Sequence, residues 1–382
     1  MLQRTFYSSK LRKTFEESVD FGIRSMKPFR KAYIVAVTIF IPADNDLDFI
    51  TKREIIKRTF EKYQLCIAFS VIAQPSAVGI AWEVWLNTHT KLLYKQAFGI
   101  NYVLCQSNFG KMLFGFGMSA NDANMPFREQ VSHSFEQMQN LLYIEDFTMD
   151  HVIRQWNYIP RILHTTAAYG RLYQNYQIFN DIRQYYYGIY KRKMSYPAAT
   201  GIGMDCGMVN IDFIALIPNS QTLTRELKNP NQVNAYQYGQ EVLVGSPLKE
   251  SGIKKAPLFE RAKYIGTPEL AVVFVSGTAS IIGEQTIGKN DIAIQTNTTC
   301  DNISQLTNFE NLEKAGIDIP QTESCYLRVY VKNIEDIPLV EQICQQKYGN
   351  IPILYVKADI CRDDLLVEIE GEYALPDSFS TF

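Results

Sequence analysis

Two stretches of this chain repeat one pattern, and the repeat constrains the fold more than any single motif does. In the later copy the apolar AVVFVSGTASI (271–281) leads to a helix-like segment from about Asp291, with Ile292, Ile303 and Leu306 as its apolar positions. The alternating CYLRVYVKN (325–333), a helix around IPLVEQICQQKYG (337–349) and ADICRDDLLVEIEGE (358–372) follow, giving the order β-α-β-α-β. The earlier copy runs MLFGFGMSA (112–120), a helix FREQVSHSFEQMQNLL (127–142) with Val131, Phe135, Met138 and Leu142 at helical spacing, and VIRQWNYIPRIL (152–163). A helix-like YQNYQIFNDIRQYY (173–186) then leads into TGIGMDCGMVNIDFIALI (200–217). Cys206 falls where Cys361 does and Asp212 close to Glu368, but Gly207 replaces Arg362, so one copy has lost polar equipment that the other keeps.

Between the copies lies a connector rich in Pro, Gly, Asn and Ser (218–264), which reads as a loop too long to be an inert turn and therefore as a cover over a site. The domain boundary is placed near 220. Residues 1–95 read as an N-terminal extension with a strand at 31–41 and a helix at 52–63.

Totals narrow the function. With 38 basic and 40 acidic side chains the net charge is -2, which offers a polyanion no bulk attraction and excludes nucleic acid as the main partner. Seven scattered cysteines without a CxxC pair suit reduced thiols better than a disulfide framework or a zinc site. No run of eighteen apolar residues occurs, so no membrane span is expected. The basic, Ser-containing start imitates a transit peptide, but Glu16, Glu17 and Asp20 count against one, and a cytoplasmic protein is expected. The four histidines all precede residue 165, which leaves the later copy without a His-based metal site, a Ser-His-Asp triad or a Cys-His pair.

What remains there is carboxylate, guanidinium, phenol and backbone. Read as a strand, ADICRDDLLVEIEGE sets Leu365, Val367 and Ile369 on one face and Arg362, Leu366, Glu368 and Glu370 on the other. Arginine binds a carboxylate bidentately, and a glutamate in partly apolar surroundings has its pKa raised enough to act as a general acid. The competing reading is a buried Arg–Glu ion pair, or a solvated face shared with Asp363, Asp364, Glu370 and Glu372. Cys361 has the opposite parity to Arg362 and Glu368, so all three reach one pocket only if the backbone is irregular near Asp363–Asp364.

YPAATGIGMD (196–205), NPNQVNAYQYGQ (229–240), PLFERAKYI (257–265), FVSGTASIIGE (274–284) and ADICRDDLLVEIEGE together resemble the chorismatase family, over about residues 195–372. That resemblance implies an α+β (mixed α/β) fold of two YjgF-like (chorismate mutase-like) domains, each a mixed sheet with helices on one face. Residues 1–220 would form the N-terminal domain, without the catalytic arginine, and 221–382 the catalytic one. It implies chorismate as the small-molecule substrate, no metal or organic cofactor, and a monomer or a trimer-like assembly. On the matching positions Arg362 would bind a substrate carboxylate and Glu368 would protonate the enolpyruvyl methylene. Arg328 would be a second anion contact, with Tyr196, Thr200, Gly201, Tyr238 and Ala279 shaping the pocket. Gly277 and Cys361 match the branch that forms 3-hydroxybenzoate and pyruvate, rather than those giving a dihydroxycyclohexadiene carboxylate or mixed 3- and 4-hydroxybenzoate. Imine deamination and non-catalytic metabolite binding stay open as alternatives.

Overall fold

The computed structural model describes residues 2–26, 34–87, 91–122, 124–168, 170–190, 195–248, 252–319 and 322–375. Three stretches of chain repeat one strand order. The first has β1 (Leu2–Ser9), α1 (Phe15–Ser25), β2 (Ile34–Phe40), α2 (Asp46–Lys62), β3 (Ala68–Ile72) and β4 (Ile80–Asn87), in a sheet of order β1-β4-β2-β3. The second has β5 (Leu92–Ala97), β6 (Ile100–Ser107), β7 (Gly110–Ser119), α3 (Phe127–Ile144), β8 (Val152–Pro160), β9 (Thr165–Ala168), β10 (Arg171–Gln174), α4 (Asn175–Tyr190), β11 (Ala198–Met204) and β12 (Asn210–Pro218). Its main sheet runs β11-β8-β12-β7-β6-β5, and β9 and β10 form a separate hairpin.

The third stretch has β13 (Leu223–Leu227), β14 (Ala262–Gly266), β15 (Ala271–Ala279), β16 (Ile281–Ile282), β17 (Gln285–Thr286), α5 (Ile292–Thr307), α6 (Phe309–Lys314), β18 (Glu323–Val331), α7 (Ile337–Tyr348), β19 (Ile353–Lys357) and β20 (Val367–Ala374). Its sheet order, β13-β14-β15-β20-β18-β19, repeats the second sheet strand for strand. The first sheet is the same unit without its two leading strands.

The expected mixed α/β class is therefore what the chain adopts, with helices packed on one face of each six-stranded sheet. Residues expected to be an extension form a sheet of their own. The strand expected at 31–41 is β2, residues 31–33 lying outside the described residues, and α2 begins six residues before its expected start because Asn45 caps it by accepting from the Asp48 amide at 3.0 Å. The connector carries an edge strand, β13, which pairs with β14. The last stretch of the earlier copy (200–217) is two strands and not one, because β11 pairs parallel with β8 before the chain returns as β12; in the later copy the matching parallel strand, β19, ends just before 358–372, which holds β20 alone. Among the described residues, no helix is long and apolar enough to cross a membrane.

Two apolar layers lie between sheet and helices. Val131, Phe135, Met138 and Phe179 fill the one under α3 and α4; Ile303, Leu306, Val340, Val367 and Ile369 fill the one under α5 and α7. A third core joins the inner faces of all three sheets, from Val37 and Trp85 through Phe114 and Trp156 to Phe274 and Tyr330. The tails of the three equivalent edge strands meet there. Asp205 N donates to Ala73 O (3.2 Å), Gly203 N to Asp359 O (2.9 Å) and Lys357 N to Pro75 O (2.8 Å), a closed ring of backbone bonds that fixes the sheets against one another.

Candidate active site

Edge strand β11 of the second sheet lies against β15 of the third, and a cleft of about 680 Å³, counted with its mouth open to solvent, lies at that seam. Its walls include Tyr176, Gly201, Tyr238, Arg261, Gly277, Ala279, Cys361, Arg362 and Glu368. Val242, Leu243 and Val244 of the connector also line it, so the long loop does cover the site.

Each polar side chain arrives there for a local reason. Two residues of β15, Ser276 and Gly277, stand opposite the single Glu370 of β20, because the pairing slips between Val275↔Gly371 and Thr278↔Ile369. This bulge brings Gly277 against Glu368, where a Cβ would sit 2.0 Å from Glu368 Oε1. Ahead of β20 the chain turns at Asp363–Asp364, with Leu365 N donating to Arg362 O at 3.2 Å, and the strand starts only at Val367. That turn is the irregularity expected from side-chain parity. It lets Cys361, Arg362 and Glu368 line one cavity.

Glu368 is buried, and no described residue donates a hydrogen bond to it. Burial, and then the negative charge of Glu370 two residues away, push its carboxyl up to about 8, against the pull of Arg154 and Arg261. Cys361 is pushed up to about 12 by burial and by Glu368, which keeps it a thiol.

Two guanidiniums in the cavity have no carboxylate within ion-pair distance among the described residues. Arg362 donates to Glu284 O at 2.7 Å and lies over the Tyr238 ring at 5.3 Å. Arg261 is buried, gives Nη2 to Val233 O (2.5 Å) and the Tyr238 hydroxyl (2.7 Å), and leaves Nε without a partner. A buried cation without a counter-ion is costly, which suits Arg261 to receive an anionic ligand, and the half-buried Arg362 beside it presents a second guanidinium to the same cavity.

Arg328 is not part of this cavity. It is buried among the three sheets, where its Nη2 pairs with Glu83 Oε1, its Nε bonds Glu83 Oε2 at 2.9 Å, and its Nη1 bonds the hydroxyls of Tyr158 (2.7 Å) and Tyr330 (2.9 Å). The expected second anion contact is thus already occupied, and Arg261 takes its place on the wall. Tyr196 also falls outside the lining; its ring stacks on Tyr187 at 6.1 Å and its amide donates to Glu260 at 2.9 Å. Thr200 sits just behind the wall as a junction. Its hydroxyl donates to Glu370 at 2.5 Å and accepts from Arg154 Nη2 (2.7 Å) and from the Gly277 amide (3.1 Å).

Glu370, which one of the competing readings put on a solvated face, is buried in that network with Arg154 at 2.7 Å, Arg4 at 3.1 Å and the Trp156 indole at 2.8 Å. Burial alone would raise its pKa, but Arg328, Arg154 and Arg4 outweigh it and hold the carboxylate far below its usual range. One strand therefore presents a permanent anion at Glu370 and a mainly protonated acid at Glu368. Sequence reasoning missed Arg261, Tyr176, Arg154 and Glu370; the signal for Arg261 lay in PLFERAKYI (257–265), whose arginine faces the same seam.

Residues 83–215 match the family model described as chorismatase FkbO/Hyg5-like, N-terminal. The chain is 33% identical over 242 residues to a 3-hydroxybenzoate synthase of Streptomyces hygroscopicus, covering 60% of this chain and 65% of that protein. It is 30% identical over 224 residues to a chorismatase of the same organism, covering 58% of this chain and 61% of that protein. These matches span somewhat less than two thirds of either relative. A chorismatase crystal structure superimposes with a TM-score of 0.72 at 21% identity, covering 97% of this chain and 98% of that one, which shows the fold. In sequence the chain is similar to proteins named 3-hydroxybenzoate synthase and chorismatase, in fold it is similar to a chorismatase, and its residues 83–215 match the FkbO/Hyg5-like N-terminal family model.

Proposed function

We propose that this chain cleaves chorismate to pyruvate and 3-hydroxybenzoate. The observation that carries the reading is one cavity holding a buried carboxyl raised to about 8, Glu368, and two guanidiniums without carboxylate partners, Arg261 and Arg362. Chorismate carries two carboxylates and an enol ether, and the three groups answer to its three reactive features. Arg362 and Arg261 receive the carboxylates, Arg261 from a buried position and Arg362 from a half-buried one. Glu368, protonated at neutral pH, gives its proton to the enolpyruvyl methylene; the adjoining ether carbon becomes oxocarbenium-like, and the new carboxylate remains beside Arg261. The ring's own hydroxyl then displaces the pyruvyl group and gives up its proton, and pyruvate leaves; the ring carbon loses a proton as the oxygen regains one, so the aromatic acid forms with no net uptake of water and the one proton left over returns to Glu368.

Gly277 and the neutral Cys361 thiol support this branch, since neither offers a strong hydrogen-bond acceptor to orient an attacking water. Likeness to a protein named 3-hydroxybenzoate synthase points the same way. Incubating the purified protein with chorismate, following pyruvate by a coupled assay and resolving the aromatic product by chromatography tests both levels. Pyruvate with 3-hydroxybenzoate is expected. A dihydroxycyclohexadiene carboxylate would keep the class and overturn the branch, and no pyruvate above the uncatalysed background would overturn the class.

A further inference from the structure

Thr200 stands on edge strand β11, and its hydroxyl ties the second sheet to the third. It donates to Glu370 Oε2 at 2.5 Å and accepts from Arg154 Nη2 at 2.7 Å and from the Gly277 amide at 3.1 Å. A hydroxyl has one proton and two lone pairs, so this one is fully used. It is buried and does not line the cavity, and it therefore serves the site only through the groups it holds.

One of those groups matters to the acid. Gly277 is the backbone that leans on Glu368, since a Cβ there would sit 2.0 Å from Glu368 Oε1. A backbone N–H that reaches a carboxylate favours its charged form and lowers its pKa. The bulge of the second unit shows such a donation, where the Gly117 amide bonds the Asp212 carboxylate at 2.8 Å. At the third unit's bulge Thr200 takes the amide instead, and Glu368 has no donor among the described residues. The charged and titratable groups that face Glu368 are Glu370 on its own strand, Cys361 and Arg362 on the turn before it, Arg261 ahead of β14, Arg154 on β8, and the phenols of Tyr176 and Tyr330. Of these, Glu370 and Arg154 touch Thr200, and they stay paired with each other at 2.7 Å without its hydroxyl. Losing that hydroxyl therefore keeps the neighbouring charges and frees the amide.

We propose that Thr200 is a positioning residue for the acid, whose hydroxyl takes the Gly277 N–H away from Glu368 and so keeps the Glu368 proton in place. The proposal rests on the reading of Glu368 as the general acid of chorismate cleavage.

Thr200→Val keeps the side-chain shape and loses the hydroxyl, Thr200→Ala is the smaller alternative should Val disturb the melting transition, and Thr200→Ser keeps the hydroxyl. Carbon-13 NMR of protein labelled at the glutamate carboxyl reads the proton without substrate, with the Glu368 signal assigned by its loss in Glu368→Gln. The midpoint, about 8 in the wild type, should fall by about one pH unit in Thr200→Val or Thr200→Ala and return in Thr200→Ser. In turnover the same shift makes the loss of kcat/KM for pyruvate release grow with pH, from within about twofold at about pH 6 toward about tenfold at about pH 9. Thr200→Ser should recover to within about threefold of the wild type throughout. A midpoint that stays or rises, a loss equal at every pH, no recovery in Thr200→Ser, or unfolding of both Thr200→Val and Thr200→Ala would each overturn the role. A wild type that releases no pyruvate would overturn the chorismate reading instead, and the NMR titration would still decide what Thr200 does.

Discussion

The seam between the second and third sheets has a counterpart between the first and second, where edge strand β3 lies against β7. The backbone device is the same at both. Phe116 and Gly117 bulge opposite Asp212 as Ser276 and Gly277 bulge opposite Glu370, and Ser70 bonds Asp212 (2.6 Å) as Thr200 bonds Glu370. The chemistry differs. Asp212 is held by a hydroxyl, the Gly117 amide (2.8 Å) and the Asn210 amide (2.8 Å), and burial pushes it up to about 6 against those bonds. Glu370 has guanidiniums instead and stays charged. One step along the same face, Asn210 stands where the third unit has Glu368, and Gly207 lies under the Phe49 ring, which packs into this seam. A fixed anion next to a buried acid keeps a proton available. Hydroxyls and amides around a lone acid only bury it.

The sharpest way to break this comparison is to change the matching positions. Glu368→Gln should lower kcat for pyruvate release about 10²–10⁴-fold. Asn210→Ala in the seam between the first two sheets should leave kcat within about threefold, since the affected carboxylate touches no substrate. Equal losses would show that the seams do not differ in role.

The arginines come next. Arg328→Met leaves the buried Glu83 with Arg4 as its single cation and takes one guanidinium from Glu370, and should cost about 3–5 kcal/mol in urea unfolding. Arg261→Met removes a cation with no carboxylate partner, so stability should hold within about 1 kcal/mol while KM for chorismate rises about 10–100-fold. A large stability loss for Arg261→Met would mark it as structural.

The two bulge glycines should give the smallest effects, and of different kinds. Gly117 has φ +83° and a Cβ there would lie 2.7 Å from Phe69 O, so Gly117→Ala should cost about 1–3 kcal/mol of stability without lowering kcat. Gly277 has no such backbone constraint, and Gly277→Ala should displace the Glu368 carboxyl and lower kcat, with stability less affected.

How far the sequence foretold this can be read from single elements. Helix α3 was legible because its apolar positions recur at helical spacing, and Glu368 and Arg362 because they stand in a patterned stretch that resembles a family. The pairing of Asp212 with Glu370, and not Glu368, was not, because the turn at Asp363–Asp364 makes the path from Cys361 to Glu370 about three residues longer than the path from Cys206 to Asp212, and no side-chain pattern marks that difference. Arg328 and Arg261 both sit in apolar strand-like segments. What separates them is Glu83, 245 residues from Arg328 in a sheet that read as an extension. The first sheet escaped notice as a third unit because it lacks the two strands that begin the others.

The central claim is that Glu368 works as a protonated acid, and the pH dependence of kcat/KM for pyruvate release tests it directly. A carboxyl raised from its ordinary 4.5 to about 8 is protonated below that value and loses its proton above it. The rate should therefore be level from about pH 6 to 7 and fall toward tenfold per pH unit beyond about 8. A rate that rises through pH 8, as ionised Glu368 acting as a base would give, or a profile that Glu368→Gln leaves unchanged, would contradict the account.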